Sequence, residues 1–150
     1  MRLPDRGRAF ISVQDDDKDA VMDVAWRLHQ LGFELVATHG TAAHLRRAGL
    51  PVEVVNKVRE GRPHIVDRMK NGDIHLVVNT VDATHAVRDS VSIRRTALVR
   101  DLPYFTTTDA ARAAAAAIAA LRQGALTVRS LQEHHQTERP QERVHQAVPW

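Results

Sequence analysis

Two lysines, a set of hydroxyls and one glycine turn are the residues in this sequence best placed to do chemistry, and that chemistry is anion capture. An apolar run, Phe33-Glu34-Leu35-Val36-Ala37, leads straight into Thr38-His39-Gly40-Thr41, and a helical stretch follows over 42–48. Thr38 and Thr41 offer hydroxyls, Gly40 permits a sharp turn, and a helix start presents N–H groups without intrahelical partners. The helix dipole adds a preference for negative charge at that end. Polar residues recur after each of the other apolar runs. Lys18 follows Ala9–Val13, Lys57 follows Val52–Val55, Asn79 and Thr80 follow Ile74–Val78, and Thr106–Thr108 follow Pro103–Phe105. Each has an ordinary explanation by itself, since lysines are mostly solvated and Ser or Thr favours helix caps and turns. Their convergence is what matters. A charge-assisted hydrogen bond contributes about 1.5–3 kcal/mol, and micromolar affinity requires about 8 kcal/mol. Two lysines, two hydroxyls and a helix terminus reach that figure for a phosphorylated metabolite; one lysine does not.

Other chemistries lack their residues. There are no cysteines, so disulfides and thiolate catalysis are excluded, and the nine histidines contain no His-Glu-x-x-His pair. Neither a Gly-x-x-x-x-Gly-Lys-Ser/Thr loop nor a Gly-x-Ser-x-Gly elbow occurs. No metal and no cofactor is expected. The net charge of +3 is spread among acidic residues, and aromatics make up only 4%. That balance favours small anionic ligands over nucleic acid, which needs stacking platforms or massed basic residues. No apolar run approaches the roughly 20 residues of a membrane span, and the first residues open no signal peptide, so a cytoplasmic protein without membrane contact is expected.

The elements that must position these residues can be read from periodicity. Five short β-rich runs alternate with helical segments, an α/β pattern that calls for a parallel sheet with helices on both faces, in three α/β/α layers. Asp15-Asp16-Asp17 supplies a cap and first-turn acids for a helix reaching Leu31, with Ala20, Val21, Val24, Leu28 and Leu31 on one face. Pro63 suits the first position of a helix to Asn71, and a further helix is expected over 90–100. Asp109 is expected to cap an alanine-rich helix over 110–123 that Gly124 ends. Residues 1–8 read as a linker, 9–133 as the domain, and 134–150 as a flexible polar tail. In such sheets ligands sit beyond the carboxyl ends of the strands, which puts Lys18, Thr38, Thr41, Lys57, Asn79, Thr80 and Thr106 on one rim.

Four blocks carry a family likeness: residues 7–13 (Gly-Arg-Ala-Phe-Ile-Ser-Val), 37–42 (Ala-Thr-His-Gly-Thr-Ala), 55–65 (Val-Asn-Lys-Val-x-Glu-Gly-Arg-Pro-His-Ile) and 92–95 (Ser-Ile-Arg-Arg). Together they resemble the carboxyl-terminal regulatory domain of the carbamoyl phosphate synthetase large subunit, over about residues 7–135. The resemblance implies a methylglyoxal-synthase-like fold, with strand order 3-2-1-4-5, and an allosteric pocket for UMP or IMP. It assigns Lys18, Thr38, Thr41 and Lys57 to the effector phosphate, and Ser12, Asn79 and Thr80 to the ribose and base. Tyr104 and Thr106 match the surface facing the ornithine site. The implied partners are the synthetase domains, which bind ATP and Mg, and the small subunit, in pyrimidine and arginine biosynthesis; self-association through this domain stays open. Two departures stand out. Val81 takes the place of a threonine beside Asn79 and cannot hydrogen-bond, which bears on nucleotide selectivity, and Phe105 replaces a polar residue in the ornithine-facing strand. Methylglyoxal synthase, a lyase acting on dihydroxyacetone phosphate, is the alternative, followed by a non-catalytic interaction module. Alignment puts Arg62 where the lyase has its catalytic aspartate and His85 near its histidine, and an arginine stays protonated and cannot serve as general base.

Overall fold

A computed structural model describes residues 2–81 and 87–125. Its centre is a five-stranded parallel sheet formed by β1 (Arg8–Ser12), β2 (Glu34–Ala37), β3 (Val52–Val54), β4 (Leu76–Asn79) and β5 (Tyr104–Phe105), in the expected spatial order 3-2-1-4-5. The helices are α1 (Met22–Gln30), α2 (His39–Arg47), α3 (Ile65–Lys70), α4 (Val87–Val99) and α5, over 108–125. One compact unit runs to Ile118; of the second, which begins at Ala119, the described part is the end of α5.

Side-chain alternation along each strand creates two cores. Ala9, Ile11, Leu35, Ala37, Leu76 and Val78 point to one face, where Val24 and Leu28 of α1, Leu45 of α2, and Ala111, Ala115 and Ile118 of α5 cover them. Phe10, Val36 and Val77 point to the other, beneath Ile65 and Met69 of α3 and Ile93 and Ala97 of α4. Three layers result. β1 is the middle strand: Phe10 is in register with Val36 on one side and Val77 on the other, and Ser12 with Asn79. That register delivers the last residues of β1, β2 and β4 to a common edge.

Several boundaries differ from the sequence expectation. The three aspartates do not open α1; they wind a separate 3₁₀ turn over Asp15–Asp17, and α1 starts at Met22. This detour lifts Lys18 off the helix axis and over the end of the sheet. Arg8, expected in the linker stretch, belongs to β1, where its guanidinium pairs with Glu34 at 2.7 Å and its N–H donates to His75 Nδ1 at 2.9 Å. Pro63 lies outside α3. His64 is the cap, its Nδ1 accepting from the Asp67 N–H while the Asp67 carboxylate accepts from the His64 N–H at 2.9 Å, a reciprocal box that sets the helix start. Thr107, not Asp109, caps α5, its hydroxyl accepting from the Ala110 N–H at 3.1 Å, because Asp109 is engaged by Arg112 at 2.7 Å. Gly124 does not end α5, since a single glycine costs only about 1 kcal/mol in a helix. The 134–150 tail lies outside the described residues.

The α3 cap gives a pH prediction. The Arg62 guanidinium, followed by the His64 N–H, holds the Asp67 carboxyl down to about 2 from the usual 3.8. A carboxylate with a lowered pKa stabilises the fold above its unfolded value and loses that contribution as pH falls through the folded one. Asp67→Asn is therefore expected to flatten the stability profile between 3.8 and about 2 while matching its slope near neutrality, read by urea unfolding across that range. Identical acid slopes in the two proteins would contradict it.

Candidate functional site

At the carboxyl edge of the sheet lies a cleft of about 490 Å³ that gathers Ser12, Lys18, Thr38, Thr41, Lys57, Asn79 and Thr80. Seven of the nine residues singled out from the sequence thus share one cavity. A groove of about 570 Å³ at the other end of β2 and β3 is larger, but it sets Glu34 and Glu53 against Arg8, whereas the smaller cleft sets Lys18, Lys57 and Arg59 against Asp15 and Asp16. The smaller cleft is the one suited to an anion.

Lys18 and α2 define its most charged corner. The Lys18 ammonium stands over the first turn of α2, so close that a Cβ built on Gly40 would lie 3.2 Å from Nζ. Thr38 is the N-cap residue with extended backbone angles (φ −68°, ψ 162°), yet its hydroxyl does not cap the helix. That hydroxyl pairs with Ser12 Oγ at 3.1 Å instead. A cation placed against the positive end of a helix is unfavourable unless negative charge sits between them. The neighbouring Asp15 carboxylate meets part of this demand by pairing with Lys18, from a side chain that is 91% exposed. An anion entering the cleft can take over from Asp15.

The buried hydroxyls do structural work as well. Thr41 Oγ1 accepts from the Val13 N–H at 3.2 Å and Thr80 Oγ1 accepts from the Gln14 N–H at 3.0 Å, so both side chains fasten the segment leaving β1. Thr41→Val keeps the shape but orphans the Val13 amide. A loss of about 1–3 kcal/mol in urea unfolding is expected for such a buried group; an unchanged midpoint would free Thr41 for a purely ligand-facing role.

Lys57 lines the cleft from a second 3₁₀ turn, Val58–Glu60, held by its own N–H donating to Glu60 Oε1 at 2.6 Å. Val81 is also a wall of the cleft and places an apolar surface beside Asn79. The remaining two sequence candidates lie elsewhere. Tyr104 is outside the lining but reaches Asn79 Nδ2 through its hydroxyl at 3.1 Å, whereas Thr106 is exposed beyond the cleft. Phe105 turns the opposite way and packs on the α1–α2 core. Sequence reasoning missed Gln14, Asp15, Asp16, Arg59 and Ser90 as cleft residues. Arg59 had a signal, two positions after Lys57; Ser90 had none, because only tertiary packing of α4 brings it to Asn79.

The lyase positions fare differently. Arg62 lies outside the cleft, and its 2.7 Å contact with Asp67 raises the guanidinium pKa further above its ordinary value. His85 is outside the described residues. Among the described residues no group of three or more His, Asp or Glu side chains is arranged to hold a metal ion, and no helix is long and apolar enough to cross a membrane.

The chain is similar to known proteins over most of its length. The carbamoyl phosphate synthase large chain of Myxococcus xanthus is 48% identical over 134 residues, covering 89% of this chain and 12% of the relative. That of Halomonas eurihalina is 55% identical over 129 residues, 85% of this chain and again 12% of the relative. The chain therefore spans about an eighth of the length of these relatives. Among solved structures, methylglyoxal synthase from Elizabethkingia anophelis NUHP1 superposes with a TM-score of 0.60 at 22% identity, covering 75% of this chain and 79% of that one, a likeness of fold. The MGS-like (methylglyoxal-synthase-like) domain family matches residues 20–106, from the turn before α1 to the end of β5, and the chain belongs to that family.

Proposed function

We propose that this chain is a non-catalytic regulatory domain of a carbamoyl phosphate synthetase large subunit that binds a nucleotide monophosphate, UMP or IMP, in the cleft. Lys18, Thr38, Thr41, Lys57 and the start of α2 take the phosphate; Ser12, Asn79 and Thr80 face the ribose and base. One observation carries the reading: the Lys18 ammonium and the α2 N-terminus converge on the same point, a juxtaposition that an anion would relieve. The identity to carbamoyl phosphate synthase large chains supports the parent assignment. Regulation then follows from differential affinity, with UMP preferring a less active arrangement of the synthetase domains and IMP a more active one. By linkage, substrates that favour the active arrangement weaken UMP by the same factor. The synthetase domains, with their ATP and Mg, the small subunit and the ornithine signal reaching Tyr104 and Thr106 belong to this proposal as partners.

Calorimetry of the whole chain with UMP, IMP and inorganic phosphate tests it. Heat with nucleotide and with phosphate is expected. Silence with all three would leave a plain interaction module. Formation of methylglyoxal from dihydroxyacetone phosphate would establish the lyase, against which the protonated Arg62 already argues.

A further inference from the structure

Asn79 belongs to two places at once. Its buried side chain lines the cleft, and its Nδ2 also stands 3.1 Å from the Tyr104 hydroxyl and 3.3 Å from Ser90 Oγ. A primary amide has two N–H donors, so these partners use both. The pattern continues along the sheet edge: Asn79 is the register partner of Ser12, and Ser12 Oγ shares a 3.1 Å hydrogen bond with Thr38 Oγ1 at the start of α2. Polar side chains from β1, β4 and β5 and from the cap of α2 thus run in a row, from the Lys18 corner to the edge strand.

We propose that Asn79 acts as a shared donor: a ligand oxygen in the cleft that accepts one Asn79 N–H does so at the expense of the Tyr104 hydroxyl, which transmits occupancy to β5. The inference rests on the reading of the cleft as a nucleotide site and names the side chains through which that site is sensed. Two features single out Tyr104 as the partner that is released. Ser90 itself lines the cleft and can pair with the incoming ligand, whereas Tyr104 does not and must find its partner outside. β5 is two residues long and paired only with β4, so it is the strand least held in place. A phosphate bound at Lys18 alone does not need Asn79; a ribose or base oxygen extending along the row does.

Tyr104 is the sole tyrosine, so the full chain labelled with 3-fluorotyrosine gives one ¹⁹F resonance from this position. UMP is expected to move that resonance, and inorganic phosphate to leave it in place. Tyr104→Phe removes the competing hydroxyl and keeps the ring; it is expected to tighten UMP binding about two- to ten-fold with phosphate affinity unchanged. A stationary resonance while calorimetry records UMP binding would overturn the shared-donor proposal alone, as would equal shifts in UMP and phosphate affinity for Tyr104→Phe. Absence of heat with every ligand would instead remove the nucleotide reading, and this proposal with it.

Discussion

Alanine at position 18 is expected to raise the dissociation constants of inorganic phosphate and of UMP roughly 10- to 150-fold, the loss of one charge-assisted hydrogen bond of about 1.5–3 kcal/mol. Both ligands should suffer alike, because the role proposed for Lys18 is to meet the phosphate they share. The fold should not. The Lys18–Asp15 pair joins a partly buried ammonium to an almost fully exposed carboxylate, and exposed pairs of this kind contribute about 0–1 kcal/mol. Removing the ammonium also relieves its repulsion with the α2 N-terminus. The urea midpoint in phosphate-free buffer is therefore expected to stay put, or to rise slightly. A second signature follows from mass action: phosphate at about 100 times its dissociation constant stabilises the native protein by about 2.7 kcal/mol, and the variant should lose about half to nearly all of that increment. Lys57→Ala should weaken both ligands in the same direction. Unchanged affinity in Lys18→Ala would place the anion site elsewhere, whatever the cleft looks like.

Much of this arrangement was legible from residue order alone, because strand ends and turn chemistry are local. Thr38, Gly40 and Thr41 declare a strand-to-helix turn, and the alternation of β-rich runs with helices fixes a parallel sheet whose carboxyl edge must collect them. The parts that escaped are those decided by competition between neighbours. Asp15-Asp16-Asp17 has the composition of a helix start but forms its own turn, with Gln14 Nε2 donating to Asp17 at 2.9 Å. Asp109 looks like a cap, yet Arg112 claims it, and Arg112 is in turn tied to Asp23 at the beginning of α1, 89 residues away. Nothing in the local sequence announces that pairing. Ser90 is a similar case, an unremarkable position on α4 until the sheet puts Asn79 within 3.3 Å. Thr41 shows a further limit: its spacing suits a ligand hydroxyl, but its contacts with Val13 show that the same group secures the loop that carries Lys18. Position was readable there; division of labour was not.

Phe10→Ala is expected to remove about 3–5 kcal/mol of stability, as deletion of a fully buried aromatic ring usually does. Phe10 is fully buried at the middle of the central strand, flanked in register by Val36 and Val77. Its ring belongs to the core that Ile65, Met69 and Ile93 cover from α3 and α4. The surroundings of a close-packed core relax only partly into such a space, so a cavity remains and its lining loses contacts. Against a typical domain stability of about 5–15 kcal/mol this is a large fraction, and at roughly 2–4 °C per kcal/mol for a chain of this size it lowers the melting temperature by about 6–20 °C. Phe10→Leu retains most of the volume and should cost less than half as much. The consequence reaches the cleft, because β1 carries Ser12, and the segment beyond it supplies Val13, Gln14 and Lys18. In a population partly unfolded by the substitution, apparent phosphate affinity falls in proportion to the folded fraction, while added phosphate restores folding by the amount that linkage sets. Lys18→Ala behaves oppositely, with intact folding and a diminished response to phosphate. Urea unfolding of both variants, with and without phosphate, separates loss of the scaffold from loss of the site; a cost below about 1 kcal/mol for Phe10→Ala would mean that this core is not packed as described.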